Sequence, residues 1–298
     1  MKKKEEESRS DMKIKALYIV FIIIIAAVSS ALSCSPAKMT TLEQAKKEGT
    51  LRIGFANDVP YGYVDSKGKV TGEAPEIARK VLAEMGINNI EGVYTEFGSL
   101  IQGLMTGRFD IIAAGMFITP KRFELINYSE PTYRVGQAFM VKAGNLKNLH
   151  SYEDVANNPD VVLAVMTGAV EGDYARAIGV QESQLLIVPD PPTGMVAVEN
   201  READALALTS LAINKLVKTN EQHTVEMAQP FANPVINGKE ILGYGGFGFR
   251  KEDAAFLEEF NKHLKAFIGT EEHLEIMNQF GFTELPGDIT AKDLCQEQ

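Results

Sequence analysis

The run Ala114-Gly115-Met116-Phe117-Ile118-Thr119-Pro120-Lys121-Arg122 carries the clearest chemistry in this 298-residue chain. Phe109-Asp110-Ile111-Ile112-Ala113 ahead of it reads as a buried strand. Thr119-Pro120 reads as a helix start, with a hydroxyl N-cap and proline at the first helical position. Arg122 is thereby predicted in the first turn of a helix, just past the carboxyl end of a strand. In open α/β sheets, ligands bind at that edge. A helix N-terminus beside a guanidinium fork makes a carboxylate trap. Phe117 stands next to it, which suits an anion attached to a flat or cationic body. The pattern points to capture of a small zwitterion.

Three further residues share this geometry. Asp58 and Tyr61 lie in the loop Asn57-Asp58-Val59-Pro60-Tyr61-Gly62-Tyr63, which leaves a predicted first strand, Leu51–Ala56. Phe97 follows a second strand near Ile90–Thr95. Asp58 has two readings, a turn aspartate or a site acid, because Asn-Asp before proline is ordinary turn chemistry. Tyr61, Phe97 and Phe117 have two as well, core or site. Their placement after three different strands, at one edge of a sheet, favours a site.

The elements that must hold these residues form two α/β sets. In the first, the strands near 51–56, 90–95 and 109–117 alternate with helices. One opens at Glu73-Ala74-Pro75-Glu76 with Ile77, Val81, Leu82 and Met85 on one face. The other carries Leu100, Ile101, Leu104 and Met105. This βαβαβ order implies right-handed crossovers and a parallel sheet. Gln137–Lys142 reads as a strand leaving this set. A second set follows, with strands 161–166, 185–188 and 205–208 and helices near 170–178, 193–200 and 210–218. Leu242–Phe249 reads as a return crossing, followed by helices 252–267 and 271–280. Two crossings between two α/β sets imply a hinged, two-lobed protein. The assignment is 45–140 plus 242–298 for lobe 1 and 141–241 for lobe 2.

Composition narrows the function. The net charge is −10, and residues 1–33 carry six Lys/Arg against four Asp/Glu, so the remainder stands at −12. Nucleic-acid binding needs a basic footprint and is excluded as a reading. Gly243-Tyr244-Gly245-Gly246-Phe247-Gly248 matches G-x-G-x-x-G in form. It lies inside a strand rather than between strand and helix, so a close-packed strand is the better reading. No phosphate-binding loop, G-x-S-x-G or H-E-x-x-H is present, and an enzyme is not supported. The four histidines, His150, His223, His263 and His273, fall on polar segments and read as surface residues. The two cysteines, Cys34 and Cys295, have no metal or redox spacing, and neither a metal nor a cofactor is expected.

Residues 1–33 read as a signal peptide. Lysines precede the 13-residue apolar run Ala16–Val28, the size of a signal core rather than a membrane span. Ala31-Leu32-Ser33-Cys34 resembles a bacterial lipobox, which would make Cys34 a lipidated first residue. Small residues at −3 and −1 also permit ordinary cleavage. Either route exports the protein, with residues 34–44 as a tether.

Four segments carry a resemblance that spans roughly residues 45–282: Ala56–Tyr61, Gly72–Ala78, Phe97–Leu104 and Ala113–Arg122. The chain resembles periplasmic solute-binding proteins of the polar amino-acid class, which serve ABC importers. Within that class it looks most like ectoine and hydroxyectoine binders. The resemblance implies the two-lobed periplasmic binding protein (type II) fold with two hinge crossings, and a monomer that presents both lobes to an ABC permease in the membrane. It implies an aromatic box of Tyr61, Phe97 and Phe117, with Arg122 on the ligand carboxylate. Asp58 falls where a glutamate facing the ring amidine is expected. Gly168, Val170 and Glu171 would contribute from lobe 2. Amino-acid binders of the class usually keep an aspartate for the α-ammonium where this chain has Thr209. The alternatives that remain are a polar or cationic amino-acid ligand, and an enzyme resembling cyclohexadienyl dehydratase with Asp58 or Glu171 as general acid or base.

Overall fold

The computed structural model describes Met12, Leu17 and residues 39–296. The predicted signal peptide and Cys34 otherwise lie outside the described residues. Met12 and Leu17 are helical and exposed, in a unit separate from the one that begins at Thr41.

From Thr41 onward the chain builds two sheets. The first runs in the spatial order Asn89–Tyr94, Thr50–Phe55, Ile111–Phe117, Gly243–Phe249, Asn127–Tyr128, and Tyr133–Val135 also pairs with Gly243–Phe249. The first three strands are parallel, and Gly243–Phe249 is antiparallel to its neighbours. The second sheet runs Leu185–Val188, Leu163–Met166, Ala205–Thr209, Gln137–Lys142, Val225–Met227. It repeats the plan: three parallel strands, then an antiparallel strand that the chain reaches from the other sheet. This is the type II periplasmic binding protein fold, with two α/β layers joined by reciprocal strands.

Local sequence explains the helices that carry each sheet. Glu73–Glu84 buries Ala74, Ile77, Ala78, Val81 and Leu82, a 3.6-residue stripe, against the first sheet. Ala254–Phe267 buries Phe256, Phe260 and Leu264 at successive fourth positions. Phe260 meets Phe247 edge-on at 5.0 Å, and Phe256 meets Phe249 at 5.2 Å. Each such ring contributes about 2 kcal/mol by leaving water.

The glycine-rich strand is a packing device. A Cβ on Gly243 would sit 2.0 Å from the Phe117 ring, and one on Gly245 would sit 2.2 Å from the Tyr133 ring. Two aromatic side chains therefore lie flat on bare backbone, which is the close-packed reading of the G-x-G-x-x-G pattern.

The sequence reading requires one correction. His273 is fully buried rather than on the surface. The helix Glu271–Phe280 buries His273, Ile276, Met277 and Phe280, so the histidine lies on the apolar stripe at i, i+3, i+4 and i+7. Its Nδ1 accepts from the Gly269 N–H at 3.1 Å, and burial lowers the imidazole to about 4. Short pieces without a sequence signal include Asn127–Tyr128, Tyr133–Val135, Tyr152–Ala156, Val225–Met227, the hairpin Val235–Glu240 and the helix Ala291–Gln296.

Candidate ligand-binding cleft

Arg122 is placed as its neighbours dictate. The Thr119 hydroxyl caps the helix Pro120–Phe123 and accepts from the Arg122 backbone N–H at 3.3 Å. The side chain folds back over the sheet edge and is buried. Nη1 donates to the Phe117 carbonyl at 2.8 Å, and Nη2 donates to the Gly168 carbonyl of the second set at 2.9 Å. The guanidinium carbon lies 5.5 Å from the Phe97 ring centre, a cation–π contact. The Tyr128 hydroxyl and the Glu171 carboxyl also lie within reach of its charge.

Phe97 opens a short 3₁₀ turn, Phe97–Ser99, directly after the strand Asn89–Tyr94. Tyr61 sits in a tight turn in which Asp58 and Gly62 bridge. Its ring packs on Tyr133 at 5.6 Å and Phe282 at 5.4 Å. Gly115 passes beneath it at φ 62°, and a Cβ there would come within 2.2 Å of the Tyr61 ring. The Tyr61 hydroxyl donates across the cleft to Thr209 Oγ1 at 2.6 Å. Thr209 Oγ1 also accepts from the Ala212 N–H at 3.2 Å, as N-cap of the helix Ser210–Thr219.

Asp58, Tyr61, Phe97, Phe117 and Arg122 line one cavity. The opposite wall is Met166, Ala169, Val170, Glu171, Leu208, Thr209 and Ala212. The free space left between these walls is only about 30 Å³, so the two walls stand close together with their side chains facing one another. Gly168 does not line the cavity. It presses against Gly98 at φ 75° and offers its carbonyl to Arg122. Met166, Leu208 and Ala212 were not legible as site residues, since their types are those of any strand or helix core.

The electrostatics are unusual. Asp58 is buried, and its Oδ1 has no hydrogen-bond partner. Burial, and then the Glu171 charge, push its carboxyl up to about 7. Glu171 opens the helix Glu171–Ile178, with Val170 at the N-cap. Burial raises it to about 7 as well, against the pull of its own backbone N–H and of Arg122. With its amide oriented to satisfy both partners, Gln137 donates to Glu171 Oε1 at 2.9 Å and to the Leu208 carbonyl at 3.2 Å. Such a cleft can seat an anion on Arg122, a flat cation between rings, and donors on the two acids.

Comparison with known proteins places this geometry. The model of the bacterial extracellular solute-binding proteins, family 3, matches residues 51–284. The chain belongs to this family. A family 3 relative, the probable amino-acid ABC transporter periplasmic-binding protein y4tE of Sinorhizobium fredii, is 39% identical over 280 residues, 91% of each chain. A probable amino-acid ABC transporter-binding protein of Haemophilus influenzae is 24% identical over 225 residues, 75% of this chain and 81% of that one. Among solved structures, EhuB in complex with hydroxyectoine superposes with a TM-score of 0.78 at 32% identity. It covers 86% of this chain and 98% of EhuB. The ancestral amino-acid-binding protein AncCDT-1, a precursor of cyclohexadienyl dehydratase, gives 0.70 at 28% identity, covering 82% and 100%. The family and these relatives make the chain a solute-binding protein rather than an enzyme. Among the described residues, no helix is long and apolar enough to cross a membrane.

Proposed function

We propose that this protein captures ectoine or hydroxyectoine between two closing lobes and delivers it to an ABC permease. The observation that carries this reading is the buried, unpartnered Asp58 oxygen in an aromatic cavity shared with Arg122. A cyclic amidinium would stack between Tyr61, Phe97 and Phe117, gaining roughly 0.5–2 kcal/mol per desolvated ring contact. Asp58 would accept its N–H, and Arg122 would bind the ligand carboxylate. The likeness to EhuB supports the choice of solute. Lobe 1 comprises 45–140 and 242–298, and lobe 2 comprises 141–241. The protein works as a monomer, exported and tethered through a lipidated Cys34.

Glu171 favours a second reading. Two buried acids face a single guanidinium, a charge count that also suits a cationic amino acid, and y4tE is named for amino acids. Isothermal titration calorimetry with ectoine, hydroxyectoine, arginine, histidine and neutral amino acids separates the two. Micromolar or tighter binding confined to ectoines is the expected result. Tight binding of an amino acid instead retains the fold reading and removes the amidine role of Asp58.

A further inference from the structure

Asp58 and Glu171 approach the cavity from opposite sides, one in the loop after Thr50–Phe55 and the other at the start of Glu171–Ile178. Both are buried, and both line the same space. The nearest cation, Arg122, spends an N–H of each terminal nitrogen on the Phe117 and Gly168 carbonyls rather than on either acid. Each carboxylate raises the other's cost of ionisation, and Arg122 in the same lining sets one positive charge against the two of them.

We propose that the Asp58–Glu171 pair keeps one proton when no ligand cation lies between them, and that an entering ligand cation displaces it, so that capture is coupled to proton release. The step breaks one carboxyl O–H bond, leaves the pair with one more negative charge, and passes the proton to solvent. The inference rests on the cleft being the ligand site, and it holds for an amidinium, a guanidinium or an ammonium.

The surrounding groups do not supply the proton. Those facing Asp58 are Glu171 and the Tyr61 and Tyr133 hydroxyls, and those facing Glu171 are Asp58, Arg122, Tyr61, Tyr152 and Tyr174. Burial drives all four tyrosines upward, so they stay neutral. Gln137 fixes Glu171 Oε1 with a neutral donor. One further raised acid, Glu73, lies outside the cavity lining and accepts from the Thr132 hydroxyl at 2.6 Å, with burial holding it at about 8. Asp58 and Glu171, each held at about 7, are the acids that meet the ligand.

The sign follows from linkage. Ligand favours the ionised pair, so affinity rises with pH through neutrality and levels off above it. Below it, affinity falls roughly tenfold per pH unit for a single linked proton.

The test is calorimetry on wild-type protein with ectoine and with arginine, at neutral pH, in buffers that differ in ionisation enthalpy. Apparent binding enthalpy should change linearly with buffer enthalpy, the slope giving net proton release. Asp58→Asn and Glu171→Gln should each lose that slope and bind with a flatter pH profile, whereas Glu73→Gln should keep it. A buffer-independent enthalpy in wild type overturns the proposal, as does a slope that disappears with Glu73→Gln. If neither probe binds, the functional reading fails on its own. Infrared difference spectra of ligand-free wild type against Asp58→Asn and Glu171→Gln then decide the proton. A protonated-carboxyl band near neutral pH in wild type, absent from at least one variant, supports the retained proton, and its absence from wild type refutes it.

Discussion

The two walls of the cleft are built from the same topology and furnished differently. The wall beside Ile111–Phe117 presents three rings, an arginine and an aspartate, all from strand ends or the segments that follow them. The wall beside Leu163–Met166 presents Met166, Val170, Leu208 and Ala212, with only Glu171 and Thr209 as polar side chains. The first can recognise charge and shape unaided. The second mainly excludes water and supplies backbone and neutral hydrogen-bonding groups. The difference suggests that a ligand docks on the ring-bearing wall and is then covered.

Removing the charge on the ring-bearing wall should have the largest effect. Arg122→Ala is expected to weaken ligand binding by more than a hundredfold, on the order of 3 kcal/mol or more for a desolvated charge pair. Calorimetry with near wild-type affinity would break the asymmetry. Phe117→Leu keeps the apolar volume and removes the quadrupole. A loss of about 3- to 30-fold is expected, the range of one desolvated cation–π contact. Val170→Ala on the facing wall should change affinity less than that, and equal losses would mean that both walls recognise.

Stability against pH sharpens the comparison in the ligand-free protein. Folding holds Asp58, Glu73 and Glu171 protonated up to about 7, 8 and 7, whereas the unfolded carboxyls release near 4. The native state thus binds more protons over that interval, and stability falls as pH rises through it. His273 acts with the opposite sign. The unfolded imidazole takes a proton below about 6.5, which the folded one refuses until about 4, so its contribution is lost as pH falls. Above 6.5 the carboxyls act unopposed. The melting temperature should therefore drop several degrees between pH 6.5 and 8, and Glu73→Gln should flatten part of that slope. A melting temperature rising across this range would refute the assignment.

Thr209→Ala removes a helix cap and leaves the Tyr61 hydroxyl without its acceptor. The expected cost is about 1 kcal/mol, or roughly 2–4 °C in melting temperature for a protein of this size. Lys121 and Asp173 pair across the cleft at 3.2 Å, but both are exposed. Lys121→Ala should change affinity and stability by less than about 0.5 kcal/mol, and a larger effect in either assay would make that rim contact part of closure.

The sequence exposed those parts of the molecule that depend on local chemistry. Thr119-Pro120 marks a helix start wherever it occurs, and Phe256, Phe260 and Leu264 announce a helix face by spacing. Asp58, Tyr61, Phe97, Phe117 and Arg122 were legible because each ends or follows a strand, and strand ends of one sheet share an edge. Partners across the cleft were not legible. Nothing local tells Tyr61 that Thr209, 148 residues away, will accept its proton. Gln137 was hidden for the same reason, since nothing near it in sequence shows that Glu171 and the Leu208 carbonyl will be its partners. His273 was misread because its neighbours in sequence are Glu271 and Glu272, while its neighbours on the helix are Ile276, Met277 and Phe280.

The position of Gly243–Phe249 bears on how the chain is made. This strand lies between Ile111–Phe117 and the short strands at 127–135, yet it is synthesised after the whole of the second sheet. The second sheet draws on one continuous stretch, 137–227, and can close as soon as that stretch has emerged. The first sheet must wait for residue 249, with Phe247 and Phe249 the last members of its strand core to arrive. The first half of the chain therefore stays open until its last strand arrives, and a chain stopped short of Gly243 would lack the strand that joins Ile111–Phe117 to Asn127–Tyr128.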